Sequence, residues 1–265
     1  SEMCIRDRFD GLEAYSALIE GDADLTADIL VDNPVPVKKE SPEDAYFKLK
    51  SFPYLYGETF VYGLWKAGGW ELVNDAYKSK PPRSTEQIMH PSKYLSREKP
   101  VPLSLDAPPG MRPIKSDRLG EYFIYVLMSQ WLGDRAAKEI SNGWGGDNVT
   151  LFVDEARSSY LTIWKVAWDS ERDAEEFFQG YVEVLERAGY SVNFLSDHEV
   201  IASRGKPPSI SVLIEGREII VRSSMPKELS AGKVVKNYEL GTVRKVRPNS
   251  KSHDFLGAPA RKRRS

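Results

Sequence analysis

The segment Ala17-Leu18-Ile19-Glu20-Gly21-Asp22-Ala23-Asp24 combines residue types and spacing that could do chemistry. Wound at about 100° per residue, it sets Glu13, Glu20 and Asp24 on one narrow stripe with Ala17 and Ala27 between them. Leu12, Leu18, Ile19, Leu25, Ile29 and Leu30 cover the opposite side. Carboxylates one turn apart on such a face are suited to a metal ion, but catalytic zinc also needs nitrogen donors. The chain has three histidines, His90, His198 and His253; all follow Glu20, none pairs at i, i+4, and there is no HExxH. The sequence as given therefore cannot assemble a His2Glu zinc site, and no tightly bound zinc is expected in it. Without such partners the ordinary reading of the stripe is a solvated helix face. Asp22 falls in the middle of the apolar side, where a carboxylate needs a polar partner.

The elements that must position these residues follow from caps and breakers. A helix is predicted from about Asp10 to Val31, ended by Asp32-Asn33-Pro34-Val35-Pro36. Ser41-Pro42-Glu43 reads as an N-cap with proline at the first helical position, opening a helix to about Ser51. A helix from about Tyr56 to Lys66 should stop at Gly68-Gly69, and a shorter one should run from Trp70 to Lys78. Ser84-Thr85-Glu86-Gln87 fits a capping box whose helix His90-Pro91 breaks after about one turn, presenting His90 at a sharp helix end. Residues 95–117 are proline-rich and expected to be extended, and a helix returns from Leu119 to Trp131.

From Gly143-Trp144-Gly145-Gly146-Asp147 the period changes. Strands are predicted at 149–153, 159–168, 191–195, 198–203, 209–215 and 217–222, with a helix from Glu171 to Ala188 capped by Ser170 and a hairpin turn at Glu215-Gly216. The glycine-rich run lacks GK[ST] and precedes a strand, so it reads as a turn opening this module and not as a phosphate loop. Trp144 and Trp164 read as packing residues.

A Glu followed four residues later by an Asp is also the layout of the third zinc ligand, and its orienting partner, in thermolysin-like (gluzincin) peptidases. Several further blocks stand in the same order along the chain. They are Tyr56-Gly57-Glu58-Thr59-Phe60-Val61, Gly68-Gly69-Trp70, Val73-Asn74-Asp75-Ala76-Tyr77, the run from Pro81 to Tyr94, Gly143 to Asp147, and Trp168-Asp169-Ser170. Together with Ala17 to Asp24 they resemble a family of archaeal and bacterial surface or lipoprotein-like proteins with a gluzincin-type domain, over about residues 9–200. The resemblance implies a zinc metallopeptidase, a hydrolase acting on a peptide or protein substrate, with Glu20 as zinc ligand and Asp24 as the carboxylate that holds one of the zinc-binding histidines by a hydrogen bond. It implies His90 or Tyr94, and less strongly Tyr56, as the group that stabilises an oxyanion. The bland reading of His90 is a loop histidine that caps or packs. Zinc is then expected only in a longer protein carrying HExxH upstream. Ser1 to Arg8 resemble a translated sequencing adapter, so the natural start is expected to lie elsewhere.

Composition bounds the alternatives. With 41% hydrophobic and 29% charged residues in 265, the chain reads as globular. The net charge of -2 is uneven: from Lys227 onward eleven Lys/Arg face three Asp/Glu, so the rest carries about -10. This tail reads as solvated; no aromatic interleaving accompanies its charge, so no specific nucleic-acid partner is expected. The single cysteine, Cys4, lies in the adapter-like segment, leaving no disulfide framework or thiol nucleophile. No run of 18 apolar residues occurs. An upstream membrane anchor stays open, and the resemblance places the protein outside the cytoplasm or at the cell surface. The expected fold class is α+β, a mainly helical metallopeptidase-like domain at 9–140 and then a small antiparallel-sheet-plus-helix module at 141–225. Residues 1–8 and the basic tail at 226–265 flank them. The alternative to a peptidase is a non-enzymatic extracytoplasmic scaffold or binding protein on the same frame.

Overall fold

Helix α1 (Phe9–Leu30) starts without a side-chain cap of its own; the carboxylate of Asp117, far along the chain, accepts from Phe9 N at 2.8 Å. The computed structural model describes residues 8–226 apart from Pro34, Lys38 and Arg157. The first seven of the adapter-like residues 1–8, with Cys4, and the tail from Lys227, with His253, lie outside the described residues.

Helix α2 (Ala45–Lys78) begins at Asp44, whose side chain accepts from Tyr46 N and Phe47 N at 2.9 and 3.2 Å. It runs through Pro53 and kinks at Gly68 and Gly69, where the backbone leaves helical φ/ψ. Three helices expected between Ser41 and Lys78 are thus one kinked helix. Phe52 and Tyr56 pack against Tyr122, and this packing outweighs the hydrogen bond a proline removes. Helices α1 and α2 form an extensively packed pair through Ala17, Leu18 and Leu25 on one side and Phe60, Val61 and Leu64 on the other, all fully buried. Asp22, the anomaly of the apolar side, receives the Tyr77 hydroxyl at 3.0 Å.

Two one-turn helices follow, α3 (Thr85–Met89) and α4 (Pro91–Leu95), hinged at His90. Strand β1 (Arg112–Asp117) leads into α5 (Gly120–Leu132) and α6 (Asp134–Ser141). Strands β2 (Trp144–Asp154) and β3 (Ser159–Trp168) precede α7 (Glu171–Arg187), which Ser170 caps by accepting from Asp173 N. Strands β4 (Ser191–Ser196), β5 (Glu199–Ser203), β6 (Ser209–Glu215) and β7 (Glu218–Pro226) complete the described chain. The sheet is antiparallel throughout, in the order β1-β2-β3-β7-β6-β5-β4. Trp164, Val166 and Trp168 alternate on β3 and are buried; Trp164 and Trp168 meet Phe177 of α7.

The expectation of a mainly helical domain followed by a small sheet module is corrected. The described residues form a mixed α/β arrangement whose sheet has seven strands and reaches back to Arg112, while α5 and α6 pack against α7. β1 hides in the sequence because Arg-Pro-Ile-Lys-Ser-Asp is an exposed edge without apolar alternation, held by its register on β2. Of Gly143 to Asp147, only Gly143 belongs to a turn. β2 already starts at Trp144, and the extended backbone of Val101 crosses it so closely that a Cβ on Gly146 would strike it. Asp147 of β2 seats α5: it accepts from Leu119 N and Gly120 N at 2.9 Å and from the indole N–H of Trp144 and Trp164 at 3.2 and 3.1 Å. Among the described residues no helix is long and apolar enough to cross a membrane.

Candidate functional site

Three side chains from distant segments meet in one cleft of about 340 Å³. His90 enters from the break between α3 and α4, with φ -124° and ψ 81°, where Pro91 forbids continuation of the helix. Glu121 comes from the first turn of α5, the turn that Asp147 anchors. Tyr56 comes from α2, stacked on Phe52 and edge-on to Tyr122. Lys138, Glu139 and Asn142 close the far rim.

His90 Nε2 lies 2.9 Å from Glu121 Oε1. The Glu121 side chain is only 2% exposed and the His90 side chain 32%, so the imidazole is the part of the pair that reaches solvent. Glu121 Oε2 is buried and has no hydrogen-bond partner among the described residues. The hydrogen bond to Glu121 raises the His90 pKa, against burial, which would lower it. Burial raises that of Glu121, and His90 opposes the rise. Both shifts favour protons on the pair, which titrates as a coupled unit. Burial, reinforced by the charge of Glu121, pushes the Tyr56 phenol up to about 12 and keeps it a donor. A buried carboxylate that orients an imidazole is the arrangement of a positioned acid, base or hydrogen-bond donor. Among the described residues lining the cleft there is no Ser, Thr or Cys to serve as a nucleophile.

Of the residues singled out in the sequence, His90 and Tyr56 are thus brought together. Tyr94 is not: it is buried, its hydroxyl donates to Lys80 O at 2.8 Å, and its ring packs edge-on to Phe60. Glu20 lies beside the Tyr54 hydroxyl, whose pKa its charge raises. Asp24 Oδ2 is held by Lys39 Nζ at 2.6 Å. His198 sits in the turn between β4 and β5. The residues present do not fit zinc at Glu20, because its carboxylate and that of Asp24 face a phenol and an ammonium instead of imidazoles.

Glu86, Glu98 and Asp169 do bring three carboxylate oxygens within 4.8 Å of one another. Lys93 Nζ occupies their centre, at 2.6 Å from Glu86, 2.9 Å from Glu98 and 2.9 Å from Asp169. The cluster is therefore an ammonium cage, and a metal ion would have to displace that ammonium. Sequence reasoning passed over Glu121 and Lys93. A clue to Glu121 is an acidic residue opening the otherwise apolar run Tyr122 to Met128, which, once buried, needs a partner.

A mixed α/β protein with a histidine–carboxylate pair in an open cleft is the class that fold and site define. Residues 110–233 match a family model described as a domain of unknown function, DUF8575. Among the described residues the match takes in the whole sheet and α5 to α7, and therefore Glu121, Lys138, Glu139 and Asn142 but not His90 or Tyr56. No curated protein and no solved structure matches the chain.

Proposed function

We propose that the protein is a binding protein for a small polar ligand, seated in the cleft between α2, the α3–α4 break and the α5–α6 end. The observation that carries this reading is the His90–Glu121 pair, a buried carboxylate with one oxygen on the imidazole and the other unpartnered, exposed to the cleft through the ring. When its ring is protonated, His90 joins Lys138 and the Tyr56 phenol as a donor, so the matching ligand carries a carbonyl or carboxylate oxygen, as a small acid, an amide or a peptide end does. A second reading, general acid–base catalysis on the same ligand, draws on the Tyr56 phenol facing the pair, which gives the cleft two groups able to hand over a proton. Zinc-dependent peptide hydrolysis through Glu20 gains no support from the donor set around that residue.

The test is saturation-transfer NMR of the full chain against a library of small carboxylic acids and amides. Ligands are expected whose signal is lost in both His90→Gln and Tyr56→Phe. A library with no binder, or binders that persist in both variants, refutes the reading.

A further inference from the structure

Away from that cleft, a second pocket of about 250 Å³ gathers Lys80, Arg83, Arg97 and Lys99 around Tyr94 and Gln87. Outside its C-terminal tail the chain is net acidic, so four cations lining one small pocket are not a background feature. Lys80 is paired with Asp75 at 2.8 Å. Arg83, Arg97 and Lys99 have no carboxylate partner within 4.0 Å among the described residues.

Two of the uncharged polar side chains of the pocket, Tyr94 and Gln87, are already committed to holding its walls. The Tyr94 hydroxyl donates to Lys80 O at 2.8 Å, Gln87 Oε1 accepts from Arg83 N at 2.7 Å, and the Gln87 amide donates to Glu98 O. The walls are thereby pinned to one another, and the hydrogen-bonding capacity left over is that of the cations and the Ser79 hydroxyl.

Arg97 adds an independent sign. Its N–H bonds Tyr94 O at 3.0 Å and that of Glu98 bonds Lys93 O at 3.0 Å, which closes α4 in a Schellman motif with Arg97 at φ 66°. Glycine is the usual choice at that position because an L side chain is disfavoured there. The backbone therefore does not select arginine, whereas the pocket, which its guanidinium enters beside the Tyr94 ring at 5.6 Å, does use it.

We infer that this pocket binds a phosphate group, free or as a small monoester. Three unpaired cations match the two negative charges of such a group, and two guanidinium forks suit its oxygens. The probes are inorganic phosphate and glycerol 3-phosphate, titrated calorimetrically into the full chain at constant ionic strength. Saturable one-site binding is expected, weakened about tenfold or more by Arg97→Gly and by Arg83→Gln, the loss expected for a charged hydrogen bond. Arg97→Gly should at the same time hold or raise the thermal midpoint, since it relieves the backbone, and this separates a lost ligand contact from a damaged fold. Tighter binding of the ester assigns the site to a small-molecule phosphate, and equal binding assigns it to the free ion. Binding no stronger than that of chloride, or binding unchanged in both variants, as attraction to the basic tail would give, overturns the inference.

Discussion

At the scale of single residues the His90–Glu121 pair sets the chemistry of the cleft, and its charge state follows from which influence is larger on each partner. The hydrogen bond dominates for the half-exposed imidazole, and burial dominates for the carboxyl. Removing the carboxylate should therefore leave burial in charge of His90. In Glu121→Gln the imidazole is expected to titrate no higher than the ordinary histidine value of about 6.5, while in the unaltered chain it titrates above it. Proton NMR of the imidazole over the full pH range reads both values, and an unchanged His90 titration in the variant would show that the pair is not coupled. The sign for stability follows from linkage. A histidine whose pKa is raised on folding contributes fully below its unfolded value and loses that contribution as pH rises through the folded one. The contribution is on the order of 1.5–3 kcal/mol, as for other hydrogen bonds to charged groups. Asp147 shows the same competition with another outcome: burial pushes its carboxyl up to about 6 in spite of four donors, so at neutral pH it remains an ionised anchor for α5.

At the scale of elements the α1–α2 crossing turns on a few small residues. A Cβ on Gly21 would fall on the backbone of Gly57, and one on Gly57 would fall on the carbonyl of Ala17. Two effects oppose one another in Gly57→Ala: alanine is favoured in a helix by up to about 1 kcal/mol, and overpacking a closed contact costs about 1–3 kcal/mol. Because the clash is with backbone on both sides, overpacking should win, and a urea titration is expected to show a net loss. A gain would mean that the helices do not meet at this point. The same crossing shows what could be read from the sequence. The Ala-Leu-Ile-Glu-Gly-Asp-Ala run stood out for its carboxylates, yet Ala17, Leu18 and Gly21 are its buried positions and Glu20 and Asp24 sit on a partly exposed flank. Elements with a cap, a proline breaker or strong alternation, namely α7, α1 and β3 to β7, were legible to within a few residues. Elements decided by tertiary contact were not. α2 continues past Pro53 because its aromatics pack on Tyr122, and α6 went unseen among charged residues. Of the cleft, His90 and Tyr56 were legible and Glu121 was not, because the first two residues stand out by type whereas Glu121 acquires its role only from a partner 31 positions away.

At the scale of the whole molecule, the Lys93 cage joins the helical half to the sheet, since Glu86 belongs to α3 and Asp169 to the turn between β3 and α7. Burial would lower the Lys93 pKa, but the hydrogen bonds to Glu86 and Asp169 prevail and raise it. Burial raises Glu86 to about 8, against the pull of Lys93. The two shifts conflict, because Glu86 holds the ammonium fully only while ionised. With three carboxylates around it the ammonium stays charged, and Glu86 is the partner that takes up a proton as pH falls. Lys93→Met removes the cation and leaves Glu86 buried beside two other carboxylates. Its folded pKa then rises further, so the variant should be least stable where Glu86 is forced to ionise. The expected deficit is about 3–5 kcal/mol near pH 9, shrinking near pH 5, where a neutral Glu86 needs no counter-charge. Urea denaturation at the two pH values measures it, and adding Glu86→Gln should restore most of the loss at high pH. A deficit independent of pH, or one that Glu86→Gln leaves in place, would make Lys93 a packing residue and move the joint between helices and sheet to Arg118, Asp10 and Thr85. There Asp10 accepts from Arg118 Nε at 2.8 Å and from Thr85 N at 2.6 Å.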